Sequence, residues 1–346
     1  MADSLIWSEK YSPRKLSDLT FSPKNKQILL ELSKNSTFPH LIFYGPPGAG
    51  KKTRMSCFLA AFYGDGVYKS SVQQKEVKVK SSNIQYIVTS SNYHLEFNPA
   101  DLGNNDRNIV STVIKETASS VQLDPNMQKS FKTIVIHEAD KLSKDAQSAL
   151  RRMMEKYSSN MRLILIVNDI SNILDPIRSR CFAMRVPIPS KEEIKQVMYD
   201  IASKENMGKI EPRFIEEVID KNRRNVRGCI SAMQILFLGE GSEKKFEQPY
   251  DESIRKIVGI IMKKKGADGL GEVRKMVYSL LLIGYSASLI NNQLCAELIK
   301  DNNITEQQKG EVIHWTNFYN IRVNNGSKSI MHIEALVAKM MLILIK

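Results

Sequence analysis

The sequence predicts an α/β fold: a P-loop domain with a parallel sheet, followed by a small helical domain and a longer all-α domain. Strand and helix patterns alternate over residues 40–186, which is typical of a doubly wound parallel sheet. A glycine-rich phosphate-binding motif follows the first of these strands. After Pro187 the apolar residues recur only at helical spacing. The predicted domains are 1–188, 189–245 and 246–346.

Composition limits the class of protein. The 346 residues suffice for two or three domains, and 42% hydrophobic with 25% charged content is typical of a globular protein. No apolar run reaches membrane-spanning length, so no membrane partner is expected. Four cysteines without a CxxC pair indicate a reducing compartment and argue against a zinc site. The net charge of +13 favours a nucleic-acid partner, although basic residues also simply solvate surfaces.

The central motif is the loop that follows a predicted strand at 41–44 and precedes a predicted helix at 51–62. Its glycines let backbone N–H groups face phosphates, and its lysine reaches the terminal phosphate. A glycine-rich turn without a ligand is the alternative, and the agreement of glycines, lysine, strand and helix disfavours it. The predicted nucleotide-binding residues of the loop are Gly45, Pro46, Pro47, Gly48, Ala49, Gly50, Lys51, Lys52 and Thr53.

Two positions depart from this motif where a metal ion is normally held. Ser or Thr usually follows the P-loop lysine and binds Mg²⁺, but Lys52 stands there and the hydroxyl comes one residue later, at Thr53. One residue turns a helical side chain by roughly 100°. The strand predicted at 133–136 ends in His137 instead of an aspartate, with Glu138 at the position of the water-activating glutamate. The sequence therefore predicts nucleotide binding, argues against Mg²⁺ and puts hydrolysis in question.

The other elements are predicted from their local patterns. Residues 7–20 are expected to be extended, with aromatic rings that cover an adenine or simply pack on the domain. Residues 65–83 are expected to form an exposed excursion or hairpin. Further strands are predicted at 84–89, 161–167 and 182–186. Helices are predicted at 25–36, 107–120, 144–157, 190–204, 211–221 and 225–238, with four or five more after a polar linker at 239–249.

These motifs, in this order, resemble the small subunits of replication factor C, the eukaryotic clamp loader of the AAA+ family. The most specific stretches are KDAQSALRRMMEKY at 144–157 and Ser-Arg-Cys at 179–181, and the resemblance runs the whole length. The Lys-Lys-Thr of the P-loop and the altered acidic motif resemble the paralogue with a degenerate site, numbered fifth in yeast and third in human. The other matching pieces are Trp7–Pro13, Gly45–Thr53, Asn92–Leu95 and Asn104–Arg107.

The resemblance implies a nuclear hetero-pentamer of replication factor C subunits that loads the PCNA sliding clamp onto primer–template DNA and uses ATP to do so. It implies that the two helical domains are a lid and an oligomerisation collar. It also implies that this chain holds ATP or ADP and hydrolyses it poorly. The implied adenine pocket is Ser8, Tyr11, Pro13 and Thr20, and the implied sensors are Asn168 and Arg227. Ser12 departs from the family, which usually has Arg there.

Three further residues receive roles from the resemblance. Arg180 would act in trans, as a finger that stabilises charge on a neighbouring subunit's γ-phosphate; a structural arginine is the alternative. Arg107 and Lys144, both at helix starts, match family positions that face DNA. Contacts to phosphates carry affinity without sequence preference, which suits a loader. Either residue could instead be an ordinary charge at a helix start.

Three hypotheses remain open from the sequence. The first is a poorly hydrolysing clamp-loader subunit that supplies Arg180 to its neighbour. The second is a self-sufficient AAA+ ATPase, with Glu138 as the base and Thr53 restoring the metal site. The third is a scaffold in which the nucleotide is purely structural. The same small subunit could also work in an alternative checkpoint clamp loader.

Overall fold

The computed structural model of the chain describes residues 6–79, 82–99, 106–119, 131–207, 211–238, 250–264, 266–302, 304–325 and 328–344. The chain forms two compact units, Met1–Lys244 and Lys245–Lys346. The division of the first unit into a P-loop domain and a lid stays a prediction. Asn104 and Asn105 of the matching stretch and the predicted linker 239–249 lie outside the described residues.

One sheet of seven strands forms the centre of the first unit, within the part of the chain that is described. The strands are β1 His40–Tyr44, β2 Ser71–Val79, β3 Ser82–Ser90, β4 His94–Phe97, β5 Lys132–Ile136, β6 Met161–Val167 and β7 Cys181–Arg185. Their order is β2-β3-β4-β5-β6-β1-β7. The five strands from β4 to β7 in this order are mutually parallel, which confirms the predicted parallel sheet.

An antiparallel hairpin extends one edge of this sheet. β2 pairs with β3 in antiparallel register from Ser71 opposite Ser90, and β3 pairs with β4 in the same sense. The excursion expected at 65–83 is therefore half of a hairpin, and the strand expected at 84–89 is its other half. The sequence did not predict β4, a strand of only four residues.

Nine α-helices accompany the sheet among the described residues of the first unit. They are α1 Trp7–Lys10, α2 Pro23–Lys34, α3 Lys51–Tyr63, α4 Asp106–Ser119, α5 Lys144–Lys156, α6 Asp175–Arg178, α7 Lys191–Lys204, α8 Pro212–Lys221 and α9 Val226–Leu238. The expectation of an extended segment at 7–20 was wrong for α1. Its backbone amides at Lys10 and Tyr11 turn back to the carbonyls of Ile6 and Trp7.

Apolar side chains cover both faces of the sheet, as a parallel sheet between helices requires. On β5 and β6, Ile134, Leu163 and Leu165 join one core cluster. Their neighbours Val135 and Ile164 join a second cluster on the other face. The alternation follows the period of two in a strand. The carboxyl ends of β1, β5, β6 and β7 therefore meet at one edge, where ligands of open α/β sheets bind.

The second unit is helical throughout its described residues. Its helices are α10 Asp251–Lys263, α11 Ala267–Ile283, α12 Ala287–Ile299, α13 Glu306–Asn325 and α14 Ser329–Ile343, which agrees with the four or five expected. They share one apolar core that includes Ile257, Val277, Leu294 and Leu336. In the described part of the chain, no helix combines the length and hydropathy that crossing a membrane requires.

Candidate functional site

The loop between β1 and α3 contains three positions whose backbone favours glycine. Gly45, Gly48 and Gly50 have φ values of +149°, +76° and +85°. A β-carbon on Gly45 would lie 2.1 Å from the carbonyl oxygen of Val186, and one on Gly48 would lie 1.9 Å from Oδ1 of Asn225. Larger side chains would displace the backbone at these positions. The loop thus has the conformation that its glycine spacing predicts.

The Lys51 side chain is buried and folds back onto the loop. Its ammonium donates hydrogen bonds to the carbonyl oxygens of Gly45 at 2.6 Å and Pro46 at 2.9 Å, and to Oδ1 of Asn168 at 2.9 Å. All three acceptors are neutral oxygens, which a phosphate oxygen would surpass because charge-assisted hydrogen bonds are stronger. The structure therefore places Asn168, directly after β6, against the P-loop lysine.

The start of α9 approaches the same loop. The Asn225 side chain fills the space in front of Gly48. Burial lowers the pKa of Lys51; the negative charge of Asp140 opposes this shift and the positive charge of Arg227 adds to it. Arg227, exposed in the first turn of α9, therefore lies within electrostatic reach of Lys51. The predicted second sensor is thus near the loop.

The N-terminal segment packs on the helices that follow the sheet. The backbone amide of Trp7 donates to Oε1 of Gln234 on α9 at 2.9 Å, and the buried Trp7 ring contacts that helix as well. At the end of α7, Glu205 accepts hydrogen bonds from the Tyr11 hydroxyl and from the Lys10 ammonium. Tyr11 is therefore held by its hydroxyl against α7.

The other residues of the predicted adenine pocket differ in exposure. Ser8 and Pro13 are half-buried, whereas Thr20 is exposed. The carbonyl oxygen of Pro13 accepts a hydrogen bond from the Cys57 thiol of α3 at 3.2 Å. The segment thus runs between the P-loop helix and the helices after the sheet. This location suits a pocket for the base of a nucleotide.

Arg54 on α3 is a buried cation that the sequence analysis missed. Its side chain is 2% exposed. Its guanidinium donates to the carbonyl oxygens of Ala49 in the loop and Phe21 in the N-terminal segment, at 2.9 and 3.0 Å. Within the described residues its Nε has no hydrogen-bond partner. Its spacing from Lys51 and Phe58, by three and four residues, was the available signal, because such neighbours share one helix face.

The two residues at the metal-binding positions converge on one carboxylate that the sequence analysis also missed. Glu96 of β4 accepts a hydrogen bond at Oε2 from Nε2 of His137, at 2.8 Å. The Lys52 ammonium lies 3.9 Å from the same oxygen. The other oxygen, Oε1, lies 3.1 Å from Nε2 of His94. Glu96 therefore connects the helix after the P-loop to the strand that ends in His137.

Burial alone would raise the pKa of Glu96. The hydrogen bonds from His137 and His94, together with the charges of His137 and Lys52, outweigh burial and hold this pKa well below its usual range. Glu96 is therefore an ionised carboxylate near neutral pH. No signal in the sequence reveals this, because β4 is short and two of the partners of Glu96, His137 and Lys52, come from distant segments.

The glutamate at the position of the catalytic base forms an ion pair with a neighbouring lysine. Glu138 is half-buried, has a φ of +48° and forms an ion pair with the Lys141 ammonium at 2.6 Å. Oδ1 of Asp140 is buried and has no hydrogen-bond partner among the described residues. Thr53 is half-buried one residue beyond Lys52.

Arg180 lies at the surface between α6 and β7. Its guanidinium donates to the carbonyl oxygen of Pro176 at 2.7 Å and forms an ion pair with Glu155 at 2.7 Å, where Arg151 also binds. Its side chain is 37% exposed. These contacts hold the guanidinium on the outer side of α5 and α6, with its remaining N–H groups able to reach a second molecule.

The two predicted DNA-binding residues lie at helix starts that one buried carboxylate joins. Asp106 accepts hydrogen bonds from the backbone amides of Arg107 and Ser143, both at 2.7 Å, and from the Ser143 hydroxyl at 3.0 Å. Ser143 in turn caps α5 by accepting from the Ala146 amide. Arg107 and Lys144 are both exposed. The structure thus brings these two cations together on one surface.

The glycine loop, its buried lysine and the converging ends of parallel strands define this unit as a P-loop nucleotide-binding domain. The side chains at its two metal-binding positions do not fit Mg²⁺, which prefers oxygen ligands in octahedral geometry. Lys52 and His137 offer nitrogen, and both oxygens of Glu96 are engaged. Among the described residues, no group of three or more His, Cys, Asp or Glu side chains is arranged to hold a metal ion.

Comparison with known proteins identifies the family. Residues 250–346 match the family model "Replication factor C subunit 3, C-terminal domain", and residues 22–190 match "DNA polymerase III, delta subunit". The chain is 38% identical to replication factor C subunit 3 of Homo sapiens over 97% of this chain and 95% of that protein. It is 33% identical to replication factor C subunit 5 of Saccharomyces cerevisiae, over 97% and 98%. The chain therefore belongs to the replication factor C small-subunit family of AAA+ clamp-loader proteins, which confirms the resemblance.

Proposed function

We propose that this chain is a small subunit of a nuclear replication factor C hetero-pentamer that loads PCNA onto primer–template DNA in an ATP-dependent way. In this proposal the chain holds ATP or ADP and hydrolyses it poorly. It supplies Arg180 to the nucleotide of a neighbouring subunit. Residues 189–245 act as a lid over the nucleotide, and residues 246–346 act as the collar that assembles the ring.

The observation that carries this proposal is the contrast between the chain's own site and Arg180. At its own site, Lys52 and His137 converge on Glu96, and Glu138 pairs with Lys141. The two positions that normally hold Mg²⁺ thus carry nitrogen donors, and the glutamate at the position of the water-activating base is engaged in an ion pair. Arg180 is exposed and positioned by a carbonyl oxygen and a carboxylate. A cation in this state suits a finger that reaches across a subunit interface.

Nucleotide binding is supported by the residues around the loop. Gly45 and Gly48 leave no room for side chains, the hydrogen-bond partners of Lys51 are neutral oxygens, and Arg227 lies close by. A bound nucleotide would give these cations charge-assisted hydrogen-bond partners. The ATP hydrolysis of the complex would then take place at other subunits, with this chain contributing to one of them.

DNA binding is supported by the surface that Asp106 organises. Arg107 and Lys144 begin two helices whose N-termini Asp106 ties together, so both ammonium and guanidinium groups lie where backbone amides also favour anions. Such contacts bind phosphates without reading bases. A surface of this kind fits the interior of a ring that must work at any primer end.

The test uses the reconstituted complex with Arg180→Ala in this subunit. Removing an arginine finger slows the site it serves by about 10³-fold or more, so DNA-stimulated ATP turnover and clamp loading are expected to fall. Arg178→Ala is a matched control, because that arginine is two residues away and equally exposed, at 39% against 37%. Lys51→Ala in this subunit is expected to cost little turnover.

Full clamp loading by the Arg180→Ala complex would refute the role in trans. The self-sufficient ATPase would instead be supported by turnover of the isolated chain that Glu138→Gln abolishes. The scaffold hypothesis would be supported by DNA binding of the complex that neither weakens nor changes its salt dependence when Arg107 and Lys144 are neutralised. Each phosphate contact that is lost should reduce the salt slope by about one.

A further inference from the structure

The charge cluster around Glu96 stands where a P-loop enzyme holds its metal ion. Lys52 occupies the position of the Mg²⁺-binding hydroxyl, and His137 occupies the position of the Mg²⁺-binding carboxylate. The two side chains come from α3 and β5, and they meet at Glu96 on β4. The two substitutions therefore belong to one structural unit and are not independent losses.

Glu96 is not available as a metal ligand. Its side chain is 11% exposed, and each oxygen already faces an imidazole nitrogen, at 2.8 Å for His137 and 3.1 Å for His94. Hydrogen bonds at these distances satisfy a buried carboxylate. A divalent cation would have to displace both imidazoles and approach the ammonium of Lys52. The cluster thus excludes Mg²⁺ electrostatically as well as chemically.

Lys52, in contrast, is held loosely. Its ammonium lies 3.9 Å from Glu96, beyond hydrogen-bond distance, and its side chain is 61% exposed. Lys52 can turn towards a ligand in the loop, because the Glu96 carboxylate keeps its hydrogen bonds to the two imidazoles when the ammonium moves away. Lys52 directly follows Lys51 at the N-terminus of α3, so its side chain starts close to that loop.

Other cations around the loop lack carboxylate partners. Arg54 is buried behind the loop, and the hydrogen bonds of its guanidinium go to backbone carbonyls. Lys51 donates to neutral oxygens. The charges of Asp140 and Glu138 favour the Lys51 ammonium, and the phosphates of a nucleotide would add charge-assisted hydrogen bonds. The charge that Mg²⁺ normally supplies is therefore already present in the chain.

We propose that this subunit binds its nucleotide without Mg²⁺, with the Lys52 ammonium in the role of a built-in cation beside the phosphates. The Glu96, His137 and His94 side chains keep metal ions out of this position. The inference rests on the proposed nucleotide binding and deepens it. It also implies that, when Mg²⁺ is chelated, the hydrolysing subunits of a ring lose their nucleotide before this subunit does.

The test measures equilibrium binding of ADP and ATP to the full-length chain in MgCl₂ and, separately, in excess EDTA. For the unmodified chain, the two dissociation constants are expected to agree within about threefold, a difference of less than 1 kcal/mol. Lys52→Thr is expected to weaken binding in EDTA by about tenfold or more, the loss of one charge-assisted contact. Lys34→Thr, which removes an exposed lysine at the end of α2, is expected to change neither constant.

A double variant tests the same idea in reverse. Lys52→Thr with His137→Asp restores both metal-binding groups, and its binding is expected to be at least about tenfold tighter in MgCl₂ than in EDTA. Should this variant fail to fold, the ratio of the dissociation constants of the unmodified chain in EDTA and in MgCl₂ still tests the inference. Binding of the unmodified chain that weakens tenfold or more in EDTA would overturn the inference and leave nucleotide binding intact. No binding in either buffer would instead refute the proposed nucleotide site itself.

Discussion

Asp106 offers a quantitative test of how the proposed DNA surface is built. Its side chain is only 5% exposed and accepts hydrogen bonds from two backbone amides and one hydroxyl. Asp106→Ala removes the acceptor of these three hydrogen bonds, and a hydrogen bond to a charged group is worth about 1.5–3 kcal/mol. We therefore expect the free energy of unfolding to fall by about 3 kcal/mol, allowing for water that enters the site.

Asp106→Asn separates the contributions. Its amide oxygen still accepts from Arg107 and from the Ser143 hydroxyl, but its NH₂ group faces the Ser143 amide, so about 1–2 kcal/mol should be lost. Denaturant unfolding of the full-length chain measures both variants. DNA binding by the complex should weaken in the same order, because the starts of α4 and α5 lose their common anchor.

The matched control is Asp145→Ala, which removes an exposed aspartate from the first turn of α5. Its loss should cost less than about 1 kcal/mol, the usual size of an interaction with a helix dipole. An Asp106→Ala chain whose stability lies within about 0.5 kcal/mol of the unmodified protein would refute the reasoning, because that is the range of ordinary surface substitutions.

Two other predictions concern the P-loop strand. Gly45→Ala should lower the free energy of unfolding by at least about 2 kcal/mol more than Gly64→Ala, as measured by denaturant unfolding. Both glycines have positive φ, but only at Gly45 would a β-carbon lie against Val186. Equal losses of stability would contradict this reasoning. Burial lowers the pKa of His40 from 6.5 to about 4. Between these pH values the unfolded chain binds more protons than the folded chain. The free energy of unfolding should therefore fall by up to about 3 kcal/mol as the pH drops from 6.5 to 4. His40→Asn keeps an acceptor for the Leu163 amide and should flatten the dependence of stability on pH. An unchanged dependence would show that His40 is not its cause.

Local patterns predicted the elements whose residues carry their own signal. β1, β5 and β6 each contain an uninterrupted apolar run, at 41–44, 134–136 and 163–167, and the helices after the sheet carry helical periodicity. β4 carries no such signal, because four residues are too few for periodicity and its order comes from pairing with β3 and β5. Likewise α1 is stabilised by Trp7 packing against α9, a contact that no local window contains.

The candidate site divides in the same way. The glycines and Lys51 form a contiguous motif, so spacing alone predicts them. Lys52 and His137 were recognised as departures from a pattern, but the pattern does not say what they contact. Glu96 supplies that answer, and it lies more than 40 residues from each of them in the chain. Tertiary contacts of that range cannot be deduced from one sequence.

The N-terminal segment has a consequence for how the chain is made. The amide of Trp7 binds Gln234, 227 positions later, and Tyr11 binds Glu205, 194 positions later. During synthesis the first residues leave the ribosome long before their partners exist. Contacts of such long range form late in folding, and domains otherwise fold from the N-terminus onward. The contacts of the N-terminal segment with α7 and α9 can therefore form only after translation has passed residue 234.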